Sequence, residues 1–323
     1  MNKLISIIIL NYNGKKWLKK CLDSLHEQTY KQFEIIMVDN ASSDESIKFV
    51  KKNYPEVIIV KSKKNLGFAG GNNLGISRSK AKYILLLNND TWVEKDFLEK
   101  IIVFYKTNDF DIIGPIEGDY YTKKSSIYTT YLDPIGHYTY IYNGVGGYDS
   151  FYLSGVCLFF TKNFYYETGG LDDNFFMYAE DWDWFWRLRL LNKKIFQINS
   201  LKVYHIGAGS TGVGIKYFSF LWRNENALQT LLKNYRWHNL LWVLPIYFTL
   251  NIIEIIFFLV ILKPKIAYSY IEGWIFNIKN FSRTMEKRKW VQKHRLVSDL
   301  EIMKKMYTGF GKIRHLIDFY IKK

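Results

Sequence analysis

The run Tyr83-Ile84-Leu85-Leu86-Leu87 stops abruptly at Asn88-Asn89-Asp90-Thr91. Five apolar residues closed by two amides and a carboxylate predict a buried strand that delivers polar groups to the end of a sheet. In open α/β sheets, ligands sit in the crevice outside the carboxyl ends of the strands. A cluster of hard oxygen donors there suits a divalent cation that carries phosphates. Asp90 anchors this reading; the competing one is a polar turn, for which Asn and Asp are common residues.

The residues around this run alternate as such a sheet requires. Residues 5–10 are a β-branched run, 16–27 carry apolar residues at helical spacing, and 33–38 are strand-like again before Asp39, which makes a βαβ opening. Residues 43–53 predict a second helix capped by Ser42 or Ser43, and 57–60 a third strand after Pro55. Asn65-Leu66-Gly67-Phe68-Ala69-Gly70-Gly71-Asn72-Asn73 is a glycine-rich turn entering a helix that runs to Ser79. Its glycines permit close backbone approach to a phosphate or ribose, although the run is neither a Walker loop nor a dinucleotide fingerprint. A parallel sheet with flanking helices is the economical fold. From 110 to 149 the pattern loosens into short aromatic stretches with Gly and Pro, which suggests a substrate-shaping insertion. A strand is expected at 152–160, and Glu180-Asp181-Trp182-Asp183 leads a helix to Leu191 with three acids at its positive N-terminus. Those acids either stabilise the helix dipole, by about 0.3–1 kcal/mol each, or supply a general base, with crowding raising the pKa of one of them.

An apolar share of 48% in 323 residues excludes disorder. Aromatic residues make up 18%, many between 118 and 190, where they are either core or the lining of a groove for a sugar ring. Cys21 and Cys157 lack metal-ligand spacing and suit a reduced cytoplasmic protein. Met1-Asn2-Lys3-Leu4 runs into the first strand without the features of a signal peptide. Of the formal net charge of +15, residues 281–323 hold +8, from twelve Lys or Arg against four Asp or Glu. Before them, residues 239–262 form an apolar stretch interrupted chiefly by Pro245, Asn251 and Glu254. Its length would cross a bilayer, which takes roughly 20 residues. Glu254 would cost about 2.5–3.5 kcal/mol there and Pro245 would kink the helix, so an in-plane or re-entrant helix and a core helix compete with that reading. Basic residues after an apolar helix suit an anionic inner leaflet, at about 1 kcal/mol each. No nucleic-acid reader motif accompanies them.

The ordered set Ile7-Ile8-Ile9-Leu10-Asn11-Tyr12-Asn13-Gly14, Val38-Asp39-Asn40-Ala41-Ser42-Ser43-Asp44, Asn65 to Asn72, Leu87-Asn88-Asn89-Asp90 and Glu180-Asp181-Trp182-Asp183 resembles the family 2 inverting glycosyltransferases, in particular their rhamnosyltransferase-like branch, over residues 4–215. The resemblance implies an α/β chain with a GT-A (Rossmann-like) nucleotide-sugar-binding domain and a mainly parallel central sheet over 1–215. Its nucleotide-sugar half would be about 1–115 and its acceptor half about 116–215, with a helical, apolar and basic membrane-associated region over 216–323. It also implies inverting transfer from a nucleotide-diphosphate sugar to a hydroxyl of a glycan or polyprenol-linked glycan. The setting would be the cytoplasmic face of the cell membrane, peripheral or single-pass, in polysaccharide or glycoconjugate biosynthesis. dTDP-rhamnose and UDP-sugars both stand open as donor, Mg²⁺ or Mn²⁺ would hold the diphosphate, and no nucleic acid is a partner.

Carried over by position, Asn11, Asn13 and Asp39 would contact the nucleoside, Asp39 through the base. Asn65 and Asn72, with Asn88 and Asn89, would help to hold the nucleotide or its diphosphate. Asp90 stands where the family's metal-binding Asp-x-Asp ends, with Asn88 in place of the first carboxylate. His205 matches a downstream histidine that completes the metal site or contacts the diphosphate. Asp181 would take the acceptor proton, with Glu180 as the alternative base, while Asp183 would orient sugar or base beside Trp182. The likeness extends through Arg223-Asn224-Glu225-Asn226 to Gly273 and Lys287-Arg288-Lys289. A sugar nucleotidyltransferase would share the sheet and metal, but Asn11-Tyr12-Asn13-Gly14 lacks its Gly-rich, Arg- and Lys-bearing signature. A catalytically degenerate, membrane-associated glycan-binding or scaffold protein is the non-enzymatic alternative, favoured only by Asn88.

Overall fold

A computed structural model describes residues 3–141, 147, 150–207, 216–312 and 314. Its elements run β1 (Ile5–Asn11), α1 (Lys15–His26), β2 (Phe33–Asp39), α2 (Ser46–Asn53), β3 (Ile58–Lys61), α3 (Gly67–Arg78), β4 (Tyr83–Asn88), β5 (Thr91–Val93) and α4 (Phe97–Thr107). They continue with β6 (Ile112–Asp119), β7 (Thr129–Leu132), β8 (Tyr138–Ile141), β9 (Cys157–Thr161), α5 (Lys162–Glu167), α6 (Glu180–Leu190) and β10 (Ile195–His205). Five helices follow: α7 (Tyr217–Asn234), α8 (Trp237–Val260), α9 (Pro264–Lys279), α10 (Phe281–His294) and α11 (Asp299–Met303). The chain divides into two compact units, one of Met1–Thr129, Tyr142–Phe176 and Lys194–Val213, the other of Thr130–Ile141, Met177–Lys193 and Gly214–Lys323.

The first unit holds an eight-stranded sheet in the order β3-β2-β1-β4-β9-β6-β10-β5. β1 pairs in parallel with both β2 and β4, as do β2 with β3 and β10 with β6, while β9 and β5 run antiparallel to their neighbours. The apolar run of β4 is buried along its length, and Ile7, Leu85, Met37 and Phe159 share one core with Leu18, Leu22 and Leu25 of α1. Cys21 and Cys157 are buried free thiols, and burial raises the pKa of both.

The glycine-rich segment has a packing role. A Cβ on Gly71 would stand 2.3 Å from Leu10 Cδ1, and one on Gly75 2.4 Å from Ile8 Cγ2, so these glycines let α3 lie close on β1. Gly67 has φ +72° and faces the Phe176 carbonyl, which accepts a 2.6 Å hydrogen bond from the Phe68 N–H. Other elements depart locally from expectation. α2 begins at Ser46 without a side-chain cap, because Ser42 and Ser43 are drawn into contacts with Asn11, Asn13 and Asp39. The strand expected at 152–160 starts only at Cys157. The loosely patterned region contains β6, whose Gly114, Pro115 and Gly118 hide its period. Many aromatic residues between 118 and 190, including Phe151, Tyr152, Phe160 and Tyr165, are core.

The second unit contains the β7–β8 pair and the helices from α6 onward. α7 and α9 approach closely at Gly273, where a Cβ would stand 2.9 Å from Asn224 Cβ. Among the described residues α8 alone is long and apolar enough to cross a membrane, and only 22% of its apolar stretch is buried. Pro245 lies inside it. Glu254 on the same helix pairs with Lys312 at 2.6 Å, which removes much of the cost of a lone charge there.

Candidate active site

In the first unit the register of parallel strands sets a row of polar side chains. Asn11 is opposite Asp39, and Leu10 opposite Asn88, so the carboxyl ends of β2, β1 and β4 place Asp39, Asn11 and Asn88 along one sheet edge. Asn11 is fully buried; its Oδ1 accepts from Asn89 Nδ2 at 2.8 Å and its Nδ2 donates to Ser42 Oγ at 3.2 Å. A Cβ on Gly14 would lie 2.1 Å from Asn89 Nδ2, so glycine is what leaves room for this amide pair. Asn13, at φ 51°, accepts from the Ser43 and Asp44 N–H groups through Oδ1 and so clamps two loops together. Asp39 accepts from the Ser42 N–H through Oδ2 at 3.2 Å. Its buried Oδ1 has no hydrogen-bond partner among the described residues. An orphaned carboxylate oxygen is costly unless a ligand donor fills it.

Asn65 and Asn72 are committed to local structure. Asn65 Oδ1 accepts from Asn40 Nδ2 and the Gly67 N–H, shaping the entry to α3, and Asn72 Nδ2 donates to the Phe68 carbonyl one turn back. The side-chain amide of Asn88 makes no hydrogen bond among the described residues.

Asp90 lies between β4 and β5, and β5 pairs with β10 so that Thr91 is opposite His205. His205 Nε2 stands 3.3 Å from Asp90 Oδ1, and its Nδ1 2.9 Å from Glu117 Oε2 on β6. A carboxylate only accepts, so Nδ1 is the donor to Glu117. Burial alone would lower the His205 pKa, but the hydrogen bonds to Asp90 and Glu117 prevail and raise it to about 10. Glu117 itself is pushed up by burial and drawn down further by His205, to a net value below the ordinary one. The carboxylate behind the imidazole fixes its orientation, as at metal centres where a second carboxylate holds a ligating histidine. With the Nε2 proton displaced by the metal, as ligation by histidine requires, Asp90 Oδ1 and His205 Nε2 would form an oxygen–nitrogen donor pair that fits Mg²⁺ or Mn²⁺. Among the described residues no three His, Cys, Asp or Glu side chains make a complete cage, so ligand oxygens and water would fill the other positions.

In the second unit α6 is entered through a strained turn. Tyr178 and Ala179 both take left-handed backbone, at φ 67° and 64°, which for residues with a Cβ costs of order 1–3 kcal/mol and needs support from its surroundings. Asn226 on α7 provides it, donating through Nδ2 to the Met177 carbonyl at 3.0 Å and the Tyr178 carbonyl at 2.6 Å. Every residue of α6 is buried except Asp181. Asp181 Oδ1 accepts from the Trp182 N–H at 2.9 Å, and the Trp182 ring stacks on Tyr138 with centroids 4.8 Å apart.

Its two acidic neighbours have other fates. Asp183 is fully buried and bound by Arg187 Nε at 3.0 Å and Lys233 Nζ at 2.9 Å; this ion cluster gives it a structural part beside the sugar- or base-orienting role expected of it. Glu180 is buried with Oε2 unpartnered among the described residues. Burial first, and then the charge of Asp181, raises its pKa well above the ordinary carboxylate value. It therefore favours the neutral form, a poor base. The stability that neutral Glu180 gives is full below the ordinary carboxylate pKa and is lost as pH rises toward the raised folded value. Glu180→Gln is thus expected to flatten the decline of melting temperature toward alkaline pH. An unchanged decline would show that Glu180 is ionised in the folded protein.

Three contributors escaped sequence reasoning. Glu117 lay in the region without period, and its one signal was an acid between Ile116 and Gly118 at the end of a short apolar run. Asn226 and Arg223 stood only within the resemblance, with no role attached.

These features can be set beside known proteins. The family described as glycosyl transferase family 2 matches residues 6–169. GlyA, a glycosyltransferase of Streptococcus pneumoniae serotype 4, is 31% identical over 156 residues, 46% of this chain and 21% of that protein. The low-salt glycan biosynthesis hexosyltransferase Agl10 of Haloferax volcanii is 25% identical over 214 residues, 62% of this chain and 66% of its own length. The match to GlyA thus spans about a fifth of that protein. Among solved structures, GalNAc-T7 with UDP, GalNAc and Mn²⁺ superposes with a TM-score of 0.59 at 14% identity, covering 71% of this chain and 48% of the other. That likeness concerns the fold, which is of the GT-A type.

Proposed function

Because the chain belongs to glycosyl transferase family 2, we propose that it transfers a sugar, with inversion, from a nucleotide-diphosphate sugar to a hydroxyl of a glycan or lipid-linked glycan. The observation that carries this reading is the Asp90–His205–Glu117 chain beside a sheet edge that bears an unsatisfied carboxylate oxygen on Asp39. In this reading residues 1–215 form the catalytic domain and 216–323 the membrane-associated region. Asp39 Oδ1 accepts a hydrogen bond from the nucleoside, and Asn88 offers its uncommitted amide to the donor. Asp90 and His205 would hold the cation, with Glu117 keeping Nε2 turned toward Asp90. Once bound, Mg²⁺ or Mn²⁺ would neutralise the charge developing on the diphosphate leaving group. Asp181 removes the acceptor proton as that oxygen attacks the anomeric carbon on the face opposite the diphosphate.

UDP in the GalNAc-T7 structure makes UDP-sugars the first donors to try, with dTDP-rhamnose beside them for the rhamnosyltransferase reading. The exposed Leu241, Ile253, Ile256 and Val260 of α8 and the basic residues after it favour attachment to the cytoplasmic face of a membrane, with a polyprenol-linked acceptor. The test is nucleoside diphosphate release from UDP-, dTDP- and GDP-sugars with Mg²⁺ or Mn²⁺ against EDTA. One donor is expected to be consumed only with metal, and Asp90→Ala is expected to lower release by about 100-fold, as loss of a group that helps stabilise charge on the leaving group can. Folded protein that neither binds nor consumes any donor would favour the scaffold alternative.

A further inference from the structure

We propose that Arg223 anchors a binding site in the second unit for a phosphate group carried on an apolar chain. Resting on the transferase reading, this ligand is the lipid-linked acceptor, bound through its phosphate.

The lining of a cleft in that unit includes Arg223, Trp182, His137, Glu254 and Lys312. The Arg223 guanidinium lies over two tyrosine rings, 4.8 Å from the centroid of Tyr178 and 5.5 Å from that of Tyr138. The stacking fixes the group without using its N–H donors. Its Nε is buried and has no hydrogen-bond partner among the described residues, and no carboxylate there pairs with the guanidinium. Glu254 and Lys312 satisfy each other at 2.6 Å, and Lys312 also donates to Asn251 Oδ1 at 3.0 Å. Arg223 is therefore the charge in this cleft that nothing among the described residues balances. A buried donor left open is costly, and the guanidinium fork matches the paired oxygens of a phosphate.

The rest of the wall says what the phosphate is attached to. Ile135, Phe220, Ala227, Tyr247 and Tyr270 give it an apolar and aromatic face. Tyr247 comes from α8, the helix whose other faces leave Leu241, Ile253 and Ile256 exposed. A charged head beside such a wall selects an amphipathic ligand over a free sugar. Trp182 borders the same cleft, next in sequence to the proposed base, so the site belongs to the acceptor side of the reaction.

The test is calorimetric titration of the full chain with geranyl monophosphate, inorganic phosphate and geraniol, with UDP titrated in parallel. Geranyl phosphate is expected to bind more tightly than either of its parts. Arg223→Met is expected to raise its Kd by about tenfold or more, equivalent to about 1.4 kcal/mol, leaving geraniol unchanged. Arg223→Lys keeps a cation over the tyrosine rings and guards against misfolding; it is expected to fall between wild type and Arg223→Met. Unchanged geranyl phosphate affinity in an Arg223→Met protein of native melting temperature would overturn the site. So would the absence of binding to wild type at about millimolar concentrations. Inorganic phosphate bound as tightly as geranyl phosphate would overturn the lipid assignment and point to a free phosphate. UDP binding without Arg223-dependent geranyl phosphate binding sinks this inference alone; the reverse pattern sinks the transferase reading and leaves the site standing.

Discussion

Asp181→Asn is expected to slow sugar transfer by about 1,000-fold while leaving the Kd for the nucleotide within about twofold, since general-base catalysis typically contributes 10²–10⁴. The expectation follows from how α6 is buried. Asp181 is its one residue that is not buried, and one of its oxygens is oriented by the Trp182 N–H. Amide for carboxylate keeps the shape and that hydrogen bond but removes the proton acceptor. Glu180 does not take over, because its burial, the larger of the two causes that raise its pKa, persists in the variant even though the Asp181 charge is gone. Single-turnover transfer and nucleotide titration on the same preparation separate the two effects. Undiminished transfer would remove Asp181 from the mechanism.

Two residues along, Asp183→Ala should act on stability instead. Asp183 is the shared partner of Arg187 and Lys233, and Lys233 is itself only 1% exposed. Removing the carboxylate takes a shared counter-charge away from two buried cations, and breaking a buried pair in this way typically costs 3–5 kcal/mol. Urea unfolding should show a lower midpoint with an unchanged slope, and a protein near the margin of stability would not fold at all. An Asp183→Ala protein with a native midpoint but no activity would favour the substrate-orienting role for this residue. The contrast between neighbouring acids in one motif is a matter of helix geometry, with one position facing outward and the other facing α7.

The first four strands were legible because they are short apolar runs, each closed by a polar residue. Asp39, Asn11 and Asp90 were legible for the same reason, as the polar residues that end those runs. Roles that depend on a partner were not. Nothing in the string of letters says that Asn72 bonds its own helix or that Asp183 pairs with a lysine 50 positions away on α7. Glu117 reached His205 across 88 positions, from a strand whose Pro and Gly residues had erased the period. The glycines of α3 signal close approach correctly, but a sequence does not say whether a phosphate or a leucine approaches.

The exposure of Asp181 has a consequence for inheritance. The ten other residues of α6 are buried and are held by the stability of the fold itself. Asp181, half-buried, would answer to the proposed chemistry as well. A lineage that no longer needed the reaction would lose this acid before its buried neighbours, and its descendants would keep the helix, the turn and the sheet. In such proteins architecture outlives activity, and the residue at this one position says more about a relative's chemistry than its whole superposition does.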